Sequence, residues 1–221
     1  MTHLIDPFHE RVARTALAVA EEHGFVLGGG LALIAHGTLS RPTADVDLFG
    51  PESAPVAVAA QAVRTALRAV GMRCEDIRYE GELSQVIDGL DDHMVEMVAY
   101  RDDADRDGVA LSLAHLETSR RPVRLSIGPV MDMSDLIAYK TAALVPRGEV
   151  RDFIDVSVFL ADLTPQELID SARRVDPGLL EEDVVAVSRR LDRTPDRAFE
   201  PYGLPRSAVA SLRERVVAWP R

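Results

Sequence analysis

Apolar positions recur along this chain in two rhythms, one near 3.6 residues and one near two, and the changes between them outline its elements. Asp6-Pro7 reads as an N-cap followed by proline at the first helical position, opening an amphipathic helix that runs to about Glu22 and stops at His23-Gly24. Phe25-Val26-Leu27 is a core strand, and Leu31–His36 is helix-like after the triplet Gly28-Gly29-Gly30. Residues 44–49 alternate as a strand, and Pro55–Val70 is an Ala/Val-rich helix ending at Gly71. Short strands follow over Cys74–Tyr79, Leu83–Asp88 and Met94–Tyr100, with Gly89–Asp92 as a hairpin-like turn. Arg101–Gly108 (RDDADRDG) is a charged loop, residues 109–122 receive no element, and Val123–Ile127 is a last strand. From Asp132 the pattern is helical: Asp132–Leu144 up to the break Pro146-Arg147-Gly148, then Glu149–Leu163, 166–175, 180–191 and 207–218, with Thr194–Pro205 and its three prolines as a loop. Strands alternating with helices and then meandering imply a mixed α/β sheet. The expected organisation is an α/β lobe over residues 1–130 and a helical lobe over 131–221 that completes a shared cleft.

The strand at 44–49 carries Asp45 and Asp47, two residues apart, so both carboxylates point to one face. Two aligned carboxylates suit Mg²⁺ or Mn²⁺, hard cations that take oxygen ligands and share them with substrate phosphates. The glycines at 28–30, between a strand and a helix start, allow backbone N–H groups to approach an anion. A phosphate cradle beside a metal-binding carboxylate pair is what transfer from an NTP requires. A second constellation lies at 135–159. Lys140 is the only lysine among 25 basic residues, and a compact ammonium suits a polyphosphate oxygen. Arg151, Asp152 and Asp155 form R-D-x-x-D, with the two aspartates on one helical face; for Asp155 an ion pair with Arg151 or a helix N-terminal charge is the competing role.

Composition narrows the setting. At 221 residues with 47% hydrophobic and 28% charged residues, the chain can bury a sizeable core. The net charge of −11 is concentrated in residues 1–139, which hold 12 Lys and Arg against 22 Asp and Glu, a charge of −10. Such a protein is a poor non-specific binder of nucleic acid, so any RNA contact falls to arginines of the second half. No apolar run reaches the ~20 residues needed to span a bilayer, no signal peptide is visible, and the lone Cys74 makes no internal disulfide; a cytoplasmic location is the economical reading. The six histidines make no zinc pattern, His36 reads as a satisfied polar side chain and Trp219 as a packing anchor.

The order GG-x-AL…H…R-x-T-x-D-V-D-L over residues 28–48, followed by Lys140 and R-D-x-x-D, resembles the signature of AbiEii/AbiGii-type and MenT-type nucleotidyltransferase toxins of the polymerase-β-like superfamily. The resemblance covers residues 24–50 and 132–160 well and the rest weakly. It implies a polymerase-β-like core, NTP-dependent nucleotidyl transfer, and these roles: Gly28, Gly29, Gly30 and Arg41 at the nucleotide, Asp45 and Asp47 at the metal, Lys140 at the triphosphate (ATP or another NTP), and Asp152 completing the catalytic set. It also implies a third carboxylate from a later strand. Glu96 is the candidate and Asp88 the competitor, although many relatives have aspartate there. Gly30 stands where relatives often carry Ser or Thr. For MenT-like members the resemblance further implies a tRNA 3′ end as acceptor, a pyrimidine nucleotide as donor, a cognate antitoxin partner, and Thr43 as a regulatory phosphosite. The alternatives are a small-molecule nucleotidyltransferase of the aminoglycoside-modifying kind, suited by the acidic first half, and a non-catalytic nucleotide-binding module.

Overall fold

Asp6 accepts the N–H groups of Phe8 (2.8 Å) and His9 (3.3 Å), and Pro7 fills the first turn, so helix α1 (Pro7–Ala20) begins where its sequence caps it. The computed structural model describes residues 5–77 and 93–221; the expected strand Leu83–Asp88, the turn Gly89–Asp92 and the competitor Asp88 lie outside them. The chain forms two units. One takes the chain up to Gly37 and from Thr43 to Asp132; the other takes Thr38–Pro42 and Met133–Arg221.

Among the described residues the first unit is built on a seven-stranded mixed sheet. Its strands are β1 (Val26–Leu27), β2 (Asp45–Gly50), β3 (Arg73–Asp76), β4 (Met94–Tyr100), β5 (Val109–His115), β6 (Val123–Leu125) and β7 (Gly128–Val130), in the order β3-β4-β5-β2-β1-β7-β6. β2 pairs antiparallel with β1 and parallel with β5, while β4 and β5 are antiparallel. Helix α2 (Gly29–Ala35) leaves β1 directly, and α3 (Val56–Ala69) packs against α1. The core gathers Val12, Leu17, Val46, Leu48, Val63, Leu67, Leu111 and Leu113, all at most 1% exposed. Burying these apolar side chains contributes roughly 1.5–3 kcal/mol each.

Strand β5 corrects the expectation that 109–122 holds no element. Its run VALSLAH buries Val109, Leu111 and Leu113 and leaves small residues, Ala110, Ser112 and Ala114, on the other face. Two alanines and two leucines suit a helix as well as a strand, so the period-two signal is weak. The expected strand 123–127 is a hairpin instead, β6 with β7, and β7 pairs with β1 through Leu27 and Val130.

The second unit is helical: α4 (Met133–Arg147), α5 (Val150–Phe159), α6 (Pro165–Val175), α7 (Glu181–Arg193) and α8 (Arg206–Val216). α4 runs past Leu144 through Pro146 and ends at Gly148, whose φ of +58° suits a residue without a Cβ. Proline in the last turn removes only one intrahelical donor, so the helix tolerates it there. The expected loop 194–205 contains a 3₁₀ helix, Asp196–Tyr202, anchored by the fully buried Phe199. Trp219 is the packing anchor expected: it is 2% exposed and its indole N–H donates to the Val184 carbonyl at 2.9 Å. Thr38–Pro42 joins this unit with Leu39 and Arg41 buried.

Candidate active site

Along β2 burial alternates strictly, with Val46 and Leu48 inside and Asp45, Asp47 and Phe49 partly exposed on the opposite face. The two aspartates therefore share a face, as their spacing requires. The glycine corner meets this strand closely. The Gly28 N–H donates to the Asp47 carbonyl at 2.8 Å, so that amide serves the strand. A Cβ on Gly28 would lie 2.3 Å from the Phe49 ring, and one on Gly29 would lie 1.8 Å from Asp47 Oδ2. Gly29 also has φ +62°, where an L side chain is strained. The anion nearest the glycine backbone is thus the Asp47 carboxylate itself. Its other oxygen, Oδ1, accepts the Ser112 hydroxyl at 3.0 Å.

Ser112 on β5 is paired with Asp47 on β2 and with Glu96 on β4, so the three occupy one row across three strands. Glu96 stands two strands from Asp47, about 10 Å at the Cα level from the strand spacing. Among the described residues no group of three or more His, Cys, Asp and Glu side chains gathers at metal-holding distance. The oxygen-only pair Asp45 and Asp47 still fits a hard divalent cation, which takes one or two carboxylates and completes its shell with water and phosphate. Thr43 lies just before β2, half-buried. His9 Nε2 is 3.1 Å from the carbonyl of Ala44, at the entrance to the strand. His36 is satisfied as expected, its Nε2 3.0 Å from the Met131 carbonyl.

In the second unit the charged residues gather around a buried aspartate. Asp155 is fully buried on α5 and receives Arg41 bidentately, Nε to Oδ1 at 2.7 Å and Nη2 to Oδ2 at 2.8 Å. The Lys140 ammonium of α4 lies 2.9 Å from the same Oδ2. Arg41 also donates to the Pro42 carbonyl at 3.0 Å and faces the Tyr202 ring. The partner expected for Asp155, Arg151, instead pairs with Glu149 at 2.9 Å. Asp152 is 1% exposed in the first turn of α5, accepting the Glu149 N–H at 3.3 Å and Arg147 at 3.0 Å. Burial pushes the Asp152 carboxyl above its ordinary range, against the pull of Arg147 and Lys140.

Residues 12–201 match the family described as the nucleotidyltransferase AbiEii toxin of type IV toxin–antitoxin systems. The chain belongs to this family. No curated protein matches it at comparable stringency. Solved structures share its fold. MenT4, a nucleotidyltransferase toxin from Mycobacterium tuberculosis, superposes with a TM-score of 0.59 at 18% identity, covering 94% of this chain and 81% of its own. JHP933 from Helicobacter pylori gives 0.57 at 14% identity, covering 96% and 91%. The expected α/β sheet and helical C-terminal part agree with this AbiEii-family protein's likeness to those folds. It is a nucleotidyltransferase, and its family implies a nucleotide substrate and an antitoxin partner. Among the described residues, no helix is long and apolar enough to cross a membrane.

Sequence reasoning missed Ser112, the residue that touches Asp47 from the neighbouring strand. Its only signal was an alternation of small and large residues over 109–115.

Proposed function

We propose that this AbiEii-family enzyme moves a nucleoside monophosphate from an NTP to an acceptor hydroxyl, using Mg²⁺ or Mn²⁺ held by Asp45 and Asp47. The observation that carries the reading is the same-face carboxylate pair on β2, with Asp47 packed against Gly29 where no other residue fits. A divalent cation bound there supplies charge neutralisation on the phosphate and activation of the hydroxyl. The acceptor oxygen bonds to the α-phosphorus, the bond from that phosphorus to the bridging oxygen breaks, pyrophosphate leaves, and the hydroxyl proton passes to a carboxylate of the site. The β1–α2 corner of Gly28, Gly29 and Gly30 is the proposed nucleotide-binding segment, with Gly29 making room for the Asp47 carboxylate. Glu96 is the candidate third carboxylate, in the row of Asp47.

Lys140 is the second unit's candidate for a phosphate oxygen, its ammonium anchored by Asp155. Arg41 grips that same carboxylate, and we assign it to positioning Asp155 and Lys140. Asp152 likewise holds Arg147 and the start of α5. For the acceptor we propose a tRNA 3′ end with a pyrimidine nucleotide as donor, supported by the motif resemblance to MenT-type toxins, with Thr43 beside the aspartate strand as a phosphosite for antitoxin control.

Incubating the protein with each labelled NTP and total RNA, with Mg²⁺ or with EDTA, tests this. Metal-dependent label on tRNA is the expected result. The charge of −10 over residues 1–139 favours a cationic small acceptor as a second reading, and label on an added aminoglycoside is its signature. Nucleotide binding without transfer to any acceptor refutes both.

A further inference from the structure

Asp47 is gripped from two sides. Gly29 leaves room for Oδ2, and the Ser112 hydroxyl reaches Oδ1 at 3.0 Å. A carboxylate only accepts, so the single hydroxyl proton of Ser112 points to Asp47 and none remains for Glu96 across the next strand. Asp45, by contrast, is paired on β5 with Ala110, whose side chain has no donor. The neighbouring strand therefore treats the two aspartates differently: it places a hydroxyl donor beside Asp47 and a methyl group beside Asp45.

We propose that Ser112 is a positioning residue, fixing the Asp47 carboxylate in the orientation that receives the divalent cation. The inference rests on the metal reading above. Carboxylates that ligate metals are commonly held by hydrogen bonds of this kind, and removing such a partner costs 10–100-fold in metal affinity or activity. Parallel pairing with β2 fixes the Cα of Ser112 beside that of Asp47, so a hydroxyl on Cβ needs only the correct rotamer. Threonine keeps the hydroxyl, and its β-branch suits a strand.

The test is Mn²⁺ binding, followed by electron paramagnetic resonance of the free ion, on the full chain as wild type, S112A, S112T and D45N, with the melting temperature of each measured without metal. Wild type binds Mn²⁺ and D45N loses binding. S112A weakens binding about tenfold or more, S112T restores most of it, and the metal-free melting temperature of S112A stays close to wild type. If wild type binds no Mn²⁺, the metal reading falls and this inference with it. If wild type and S112A bind equally while D45N does not, the metal reading stands and the role of Ser112 is overturned. A weakening that S112T fails to repair, or a loss of stability with unchanged Mn²⁺ affinity, also overturns it, because both describe a packing residue.

Discussion

Replacing Asp155 by alanine removes the one carboxylate shared by Arg41 and Lys140. The two cations do not suffer equally. The Lys140 side chain is 16% exposed and can turn to water, whereas that of Arg41 is 5% exposed and remains inside with its bond to Pro42. Removing one member of a buried pair costs about 3–5 kcal/mol because the other charge is left uncompensated. With a urea slope of about 2 kcal/mol per M, the unfolding midpoint of Asp155→Ala should fall by roughly 1.5–2.5 M. Lys140→Met should cost far less, about 1 kcal/mol, since Arg41 still neutralises Asp155. The double replacement Arg41→Met with Asp155→Leu should recover much of the loss, as apolar substitutes for buried pairs often do. Urea titration followed by circular dichroism measures all of these. A loss below about 1 kcal/mol for Asp155→Ala, the range of exposed pairs, refutes the view that this cluster ties Thr38–Pro42 to α5.

The other expectations concern activity, pH and regulation. Asp45→Ala and Asp47→Ala should each abolish transfer while metal-free stability holds or rises; a variant keeping more than about a tenth of the activity, a barrier change under ~1.4 kcal/mol, removes the metal assignment. Lys140→Arg should be nearly as inactive as Lys140→Ala if the ammonium takes a phosphate, because guanidinium is larger and planar; wild-type turnover by the arginine variant excludes that role. Burial raises the Asp152 pKa above the ordinary 3.8, so its contribution to stability is whole below that value and disappears as pH climbs through the raised one. The melting temperature of Asp152→Asn minus wild type should therefore grow from pH about 4 upward, and a difference flat in pH contradicts the direction of the shift. Thr43→Glu should lose transfer while Thr43→Val keeps much of it, and intact mass after co-expression with the antitoxin should show one added phosphate; an unmodified but neutralised protein excludes control through Thr43.

Local periodicity made the aspartate strand readable: Asp45 and Asp47 alternate with Val46 and Leu48, and the structure buries the latter pair. Caps and breakers located most helices to within a few residues, because signals such as Asp6-Pro7 act on their own neighbours. What stayed hidden depends on contacts distant in sequence. Arg41 and Asp155 are 114 residues apart, and nothing local marks either as the other's partner. Ser112 lies in a strand whose outward face is alanine and serine, so neither its element nor its contact was visible. The glycine triplet was recognised as a close-approach corner; that its nearest anion is Asp47 required the register of β1 on β2.

The excursion Thr38–Pro42 makes the chain pass between its units three times, at residues 37/38, 42/43 and 132/133. No single cut separates them. A split at Asp132/Met133 places Arg41 on one fragment and its carboxylate, Asp155, on the other. The buried ion pair then becomes a condition of reassembly, and the C-terminal fragment alone keeps Asp155 with only its lysine. For an enzyme of a toxin family this offers a handling route: two fragments produced in separate cells, neither carrying the whole set of proposed site residues, with the strength of the Arg41–Asp155 contact as the adjustable switch for bringing activity back.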